Sequence, residues 1–106
     1  MVDQVSASHI LLMYKGSTNS SNDRSEDEAK DKIKMLRSQV EEGTNFGELA
    51  REFSDCPSGT QGGDLGSFGR GQMVPEFENA VFNMEIGDLS KIIKTDFGYH
   101  IIQRTG

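Results

Sequence analysis

The stretch FSDCPSGTQGGDLGSFGRGQMVPEF, Phe53 to Phe77, holds the only cysteine, Cys56, both prolines, Pro57 and Pro75, and half of the twelve glycines. Between Gly59 and Gly71 it shows neither helical nor strand periodicity, so it reads as a loop whose glycines permit tight turns. A phosphate cradle is the sharper alternative. The stretch contains no G-x-x-x-x-G-K-[ST], however, and Gly66, Gly69 and Gly71 stand in the wrong order for G-x-G-x-x-G. No strand directly precedes it either, which leaves no support for a nucleotide site.

Working outward, Val5 to Tyr14, VSASHILLMY, is an apolar, partly β-branched run that reads as a buried strand. Residues 15–24, KGSTNSSNDR, form a polar loop. Ser25 and Glu28 then fit the S-x-x-E capping box. Ala29, Ile33, Leu36 and Val40 follow at helical spacing, and Gly43 is a natural stop. Asn45 and Glu48 repeat the cap logic for a shorter helix that turns Phe46, Leu49, Ala50 and Phe53 inward.

On the other side of the glycine-rich stretch, Pro75 suits the first turn of a third helix, with Phe77, Val81 and Phe82 apolar and Gly87 at its end. Leu89 to Lys94 and Tyr99 to Arg104 read as two strands joined by Thr95-Asp96-Phe97-Gly98. The order strand, helices, strands predicts an α+β domain with an antiparallel sheet.

The chain of 106 residues fits one domain, 1–106. A single cysteine forms no intrachain disulfide, and no apolar run approaches the roughly 20 residues that cross a bilayer. The start, MVDQVSASH, lacks the pattern of a signal peptide, so a cytoplasmic chain is expected, with no membrane contact. The formal net charge of −6 opposes non-specific nucleic-acid binding, which needs basic surface.

Reactive side chains are sparse. His9 and His100 each sit inside a predicted strand, SHILL and YHIIQ, and Cys56 is the one thiol. If the two strands pair, the imidazoles can meet, and repulsion between adjacent cations would keep one ring neutral. Taken singly, each reads first as a satisfied core histidine. A zinc site made of these three lacks a fourth ligand and close spacing. A Cys–His hydrolase would need an oxyanion hole and an orienting third group that nothing local marks.

In combination, SHILL, FSDCPSG, GGDLGSFGRGQMVPEFENAVF and TDFGYHII resemble the parvulin family of peptidyl-prolyl cis/trans isomerases, in the family's order, from about Ser6 to Thr105. The resemblance implies a parvulin (FKBP-like) fold, with a four-stranded antiparallel sheet surrounded by helices. It implies a catalytic set of His9, Cys56, Thr95 and His100, where Cys56 stands at a position that other members fill with Cys or Asp. It places Leu65, Met73 and Phe77 around the substrate's proline ring, with Phe68 beside them. The implied reaction is rotation about X–Pro bonds in proline-containing peptides or flexible protein segments, by a monomer that needs no metal or cofactor. The competing reading is a module that binds such segments, as a chaperone would, with little isomerisation.

Departures from the family's pattern also carry information. Phe97 stands where some members have Ser, and Lys91 where many have Pro. The phosphate-directed branch resembles this chain least in the loop after the first strand, where it carries a basic cluster. Residues 13–23, MYKGSTNSSND, offer only Lys15, with Arg24 just beyond and Arg70 near the pocket loop. The wording of CPSG and GQMVP is nearer the small bacterial-type parvulins. The expectation is therefore the small single-domain branch that is not specific for phosphate.

Overall fold

The computed structural model describes residues 4–17, 24–55, 57–73 and 75–106; Cys56, most of the polar loop and Val74 lie outside them. Its strands are β1 (Gln4–Leu12), β2 (Asp64–Gly69), β3 (Ile93–Thr95) and β4 (Gly98–Arg104). Its helices are α1 (Glu26–Glu41), α2 (Phe46–Phe53) and α3 (Pro75–Phe82), with a 3₁₀ turn at Pro57–Gln61. The strands form one antiparallel sheet in the order β2-β1-β4-β3, so β1 and β4 are its centre.

The caps read from the sequence are present. Ser25 Oγ accepts from the Glu28 N–H while the Glu28 carboxylate accepts from the Ser25 N–H. Glu26, Asp27 and Glu28 also face the positive end of the α1 dipole. The helix closes in a Schellman turn: the Gly43 N–H bonds Val40 O, the Thr44 N–H bonds Gln39 O, and Gly43 takes φ 109°. At α2 only half of the box forms, with the Asn45 side chain accepting from the Glu48 N–H.

Side chains alternate across a strand, and that period sorts the core into two layers. Ile10 and Leu12 of β1 and Tyr99 and Ile101 of β4 pack under α1 and α2. Val5 and Ala7 of β1 and Ile102 of β4 pack on the other side, against Phe68, Phe77 and Val81. Phe77 and Val81 are four residues apart and share one face of α3.

The structure corrects four expectations. The glycine-rich stretch is not all loop, because residues 64–69 form edge strand β2, with Val5 opposite Phe68. The pairing shifts between Ser6 and Ser8, where β2 carries an extra residue. That bulge lets Leu65 and Phe68, three apart, reach the same apolar layer, which strict alternation forbids. Next, α3 stops at Phe82 and not at Gly87. Its last turn tightens through Asn83 N–H to Ala80 O and Met84 N–H to Val81 O. Finally, the strand expected over 89–94 is reduced to Ile93–Thr95 plus a lone bridge from Leu89 to Gln103. Between them the Ser90 hydroxyl takes the Ile102 N–H at 2.9 Å, replacing a ladder rung with a side-chain bond. The first strand also ends at Leu12, two residues before Tyr14.

Candidate active site

His9 stands opposite Ile102 on the β1–β4 ladder, and His100 stands opposite Leu11. The two histidines are therefore diagonal neighbours on the α3 face of the sheet, close enough for their side chains to touch. Their Nδ1 atoms lie 3.1 Å apart, with the rings inclined by 20°. Thr95 follows from the next rung. Ile93 faces His100 across β3–β4, and Thr95, two residues on, projects to the same side. Its hydroxyl lies 2.7 Å from His100 Nε2 and accepts from the Phe97 N–H at 3.2 Å.

Phe77 supplies the wall. Its ring meets His9 edge-on at 5.5 Å and His100 at 5.8 Å, and meets Phe68 at 6.0 Å. Phe77 and Phe68 are each only 3% exposed, so they form a floor. Leu65 and Met73 pack on the same cluster but remain half-buried, so part of each side chain stays accessible. The loop carrying Met73 is held to α3 by the Gly71 N–H bonding the Glu78 carboxylate and by Arg70, 3.7 Å from the same side chain.

Burial decides the charge of the pair. It lowers His9 to about 4, and it lowers His100 to about 3 with further help from His9. Both rings are neutral at neutral pH, so each carries one N–H and one acceptor nitrogen. If His100 donates from Nδ1, its Nε2 accepts the Thr95 hydroxyl proton. If it accepts at Nδ1, its Nε2–H points to Thr95. The chain thus supplies polarity without a fixed cation and can follow a neighbouring carbonyl by shifting which atoms donate.

Two supports were not evident from sequence. Gly63 takes φ 81° and its carbonyl accepts the His9 N–H at 2.9 Å. A Cβ there would come within 2.3 Å of His9 O, so the second glycine of GGDLG lets the backbone approach His9. Asp55 is the other. Its N–H bonds Leu11 O at 2.7 Å, and its carboxylate accepts the Met13 N–H at 2.9 Å and Arg24 at 2.6 Å. The segment leading into Cys56 is thereby fastened to the end of β1. The sequence signal was a charged pair 31 residues apart, which no local pattern joins.

The model of the PPIC-type PPIase domain matches residues 1–106. The chain belongs to this family of peptidyl-prolyl cis/trans isomerases. Among its PPIase relatives it is 43% identical, over 97% of this chain and 96% of the relative, to the peptidyl-prolyl cis-trans isomerase Pin1 of Arabidopsis thaliana. The solution structure of TbPIN1 superposes with a TM-score of 0.91 at 36% identity, covering all of both chains. The peptidyl-prolyl isomerase ESS1 from Candida albicans gives a TM-score of 0.86 at 40% identity over 98% of this chain and 63% of that one. The chain is an isomerase of the parvulin fold, as the sequence resemblance implied. Among the described residues, no helix is long and apolar enough to cross a membrane.

Proposed function

We propose that residues 1–106 act as one PPIase domain that isomerises X–Pro bonds without covalent chemistry. In this reading His9, Thr95, His100 and Cys56 surround the rotating amide, and Leu65, Met73 and Phe77, floored by Phe68, hold the proline ring. The observation that carries it is the chain from Thr95 through His100 to His9, with Phe77 edge-on to both rings.

The physics of the reaction fits such a site. Amide resonance sets a barrier of roughly 18–20 kcal/mol, and uncatalysed exchange takes tens to hundreds of seconds. The twisted amide is less polar than the planar one, so an apolar, water-poor pocket prefers it, and that differential binding lowers the barrier. About 1.4 kcal/mol of preference is worth tenfold in rate. No proton need leave the substrate, which suits histidines held neutral.

The proposal extends to substrate charge. Proline-containing peptides and flexible protein segments, unphosphorylated at X, are the expected partners of a cytoplasmic monomer. Arg24 is committed to Asp55 and to Met13 O, and Lys94 to Glu26 at 2.9 Å. Arg70 lies 4.2 Å over the Phe82 ring, beside Glu78. At these three cations a phosphate would have to compete with those partners. The test is exchange spectroscopy on matched Ser–Pro peptides with and without phosphate. Acceleration of both, with less than tenfold preference for the phosphorylated one, fits the reading. A tenfold or greater phosphate preference would reject the branch, and acceleration of neither would reject the enzyme.

A further inference from the structure

Thr95 has a second neighbourhood. Beside it opens a groove of about 500 Å³ lined by Tyr14 and Ser17 beyond β1, Glu76 of α3, and Lys94 and Asp96 of the β3–β4 hairpin. Thr95 belongs to both the groove and the His100 hydrogen bond, so the groove continues from the reaction site. Glu76 is likewise the residue before Phe77. A peptide with its proline against Met73 and Phe77 brings adjacent residues to this groove; the inference rests on that placement.

The groove's charges are not balanced. The Lys94 ammonium is bonded to Glu26 at 2.9 Å, whose carboxylate also accepts from Tyr99 at 2.7 Å. Glu76 and Asp96 have no hydrogen-bond or ion-pair partner for their carboxylates among the described residues. They come from separate segments, and both are exposed. Tyr14 adds an aromatic wall whose ring packs 5.8 Å from that of Tyr99. A long side chain with an apolar stem and a cationic head matches these surfaces: the stem lies along the ring and the head meets the carboxylates.

We infer that this groove is a specificity subsite for a lysine or arginine within two residues of the isomerised bond, with Glu76 and Asp96 as the specificity-determining residues. A cation there is attracted by both carboxylates; an acidic residue is repelled by both and must draw Lys94 from Glu26. Exposed pairs are each worth little, so the combined preference at low salt is roughly three- to tenfold in kcat/KM.

The experiment measures catalysed exchange in two peptide series, one with Lys, Ala or Glu at X and one with the same residues just before X. Wild-type protein is compared with Glu76→Gln/Asp96→Asn at low and high ionic strength. The expected order is Lys, then Ala, then Glu in at least one series. The Lys-to-Ala ratio should fall toward one in the variant and in high salt. Equal catalysis of all peptides, a preference for Glu, or a Lys preference that survives in the variant would overturn the subsite while leaving the isomerase intact. If no peptide is accelerated, the isomerase reading falls and the subsite with it.

Discussion

His9 and His100, 91 residues apart in sequence, meet through Nδ1 atoms 3.1 Å apart because the β1–β4 register sets them one diagonal from one another. Both are almost fully buried, at 5% and 4% exposure. The consequence is a polar pair kept uncharged at the edge of an apolar layer. A one-residue slip of β4 would turn His100 to the opposite face and break the chain to Thr95.

That burial predicts a pH dependence of stability. In the unfolded chain each histidine titrates near 6.5, whereas in the fold His9 is lowered to about 4 and His100 to about 3. Between those values the unfolded state binds more protons, so stability is complete above about 6.5 and is lost as the pH falls toward 4 and 3. The limiting slope is about 1.4 kcal/mol per pH unit for each histidine. Urea unfolding at pH 7, 6 and 5 should show the decline before most carboxylates titrate, and replacing both histidines by Asn should flatten it. If catalysis uses the neutral rings, as proposed, it should stay level from about pH 8 down to pH 5. A stability that does not change between pH 7 and 5 would contradict the buried neutral pair.

Met73 and Phe77 should separate binding from folding. Met73 is half-buried in a loop, so Met73→Ala should leave stability within about 1 kcal/mol while lowering kcat/KM about tenfold or more. Phe77 is 3% exposed, and Phe77→Ala should cost about 3–5 kcal/mol in denaturant unfolding as well as activity. A Met73→Ala protein that isomerises at the wild-type rate removes Met73 from the pocket.

Much of this was legible in the chain itself. The capped α1, the apolar first strand and the terminal hairpin follow from local patterns: Ser25 with Glu28, the run VSASHILL, and Gly98 after Asp96. Strand β2 was not legible. Gly66 and Gly69 dilute its side chains, and a bulge puts Leu65 and Phe68 on one face at a spacing that mimics neither strand nor helix. The end of α3 at Phe82 was hidden because Asn83 and Met84 break no pattern until Gly87. For the site, two lone histidines gave only the condition that their strands pair; the partnership followed from register, which is non-local. The fastening of Asp55 to Arg24, Met13 and Leu11 was invisible for the same reason.

Asp55 therefore makes its own prediction. Asp55→Ala strips the Met13 N–H of its acceptor and the Arg24 guanidinium of one of its acceptors, at a site where the Asp55 and Arg24 side chains are 22% and 19% exposed. The cost should be about 1–3 kcal/mol in chemical unfolding. Arg24→Met should cost less, because it leaves the Asp55 carboxylate with its Met13 bond. Equal and negligible losses in both variants would show that the fastening does not contribute.

Cys56 should act through polarity and not as a nucleophile, since rotation about an amide forms no covalent intermediate. Cys56→Asp should keep substantial activity, and Cys56→Ala should reduce activity without abolishing it. Intact-protein mass measurement during turnover should find no acyl adduct on the thiol. A trapped adduct, or a folded but inactive Cys56→Asp, would defeat this.

The central claim is that this face of the sheet speeds X–Pro rotation by holding the proline ring against Met73 and Phe77 beside the histidines. Two-dimensional exchange spectroscopy on an Ala–Pro peptide, with isotope-labelled protein observed in the same sample, tests it most directly. The account predicts faster cis–trans exchange at catalytic protein concentration, with peptide-induced shifts concentrated at Met73, Phe77, Thr95 and His100. Unchanged exchange, or acceleration accompanied by shifts confined to the α1 side of the sheet, would contradict it.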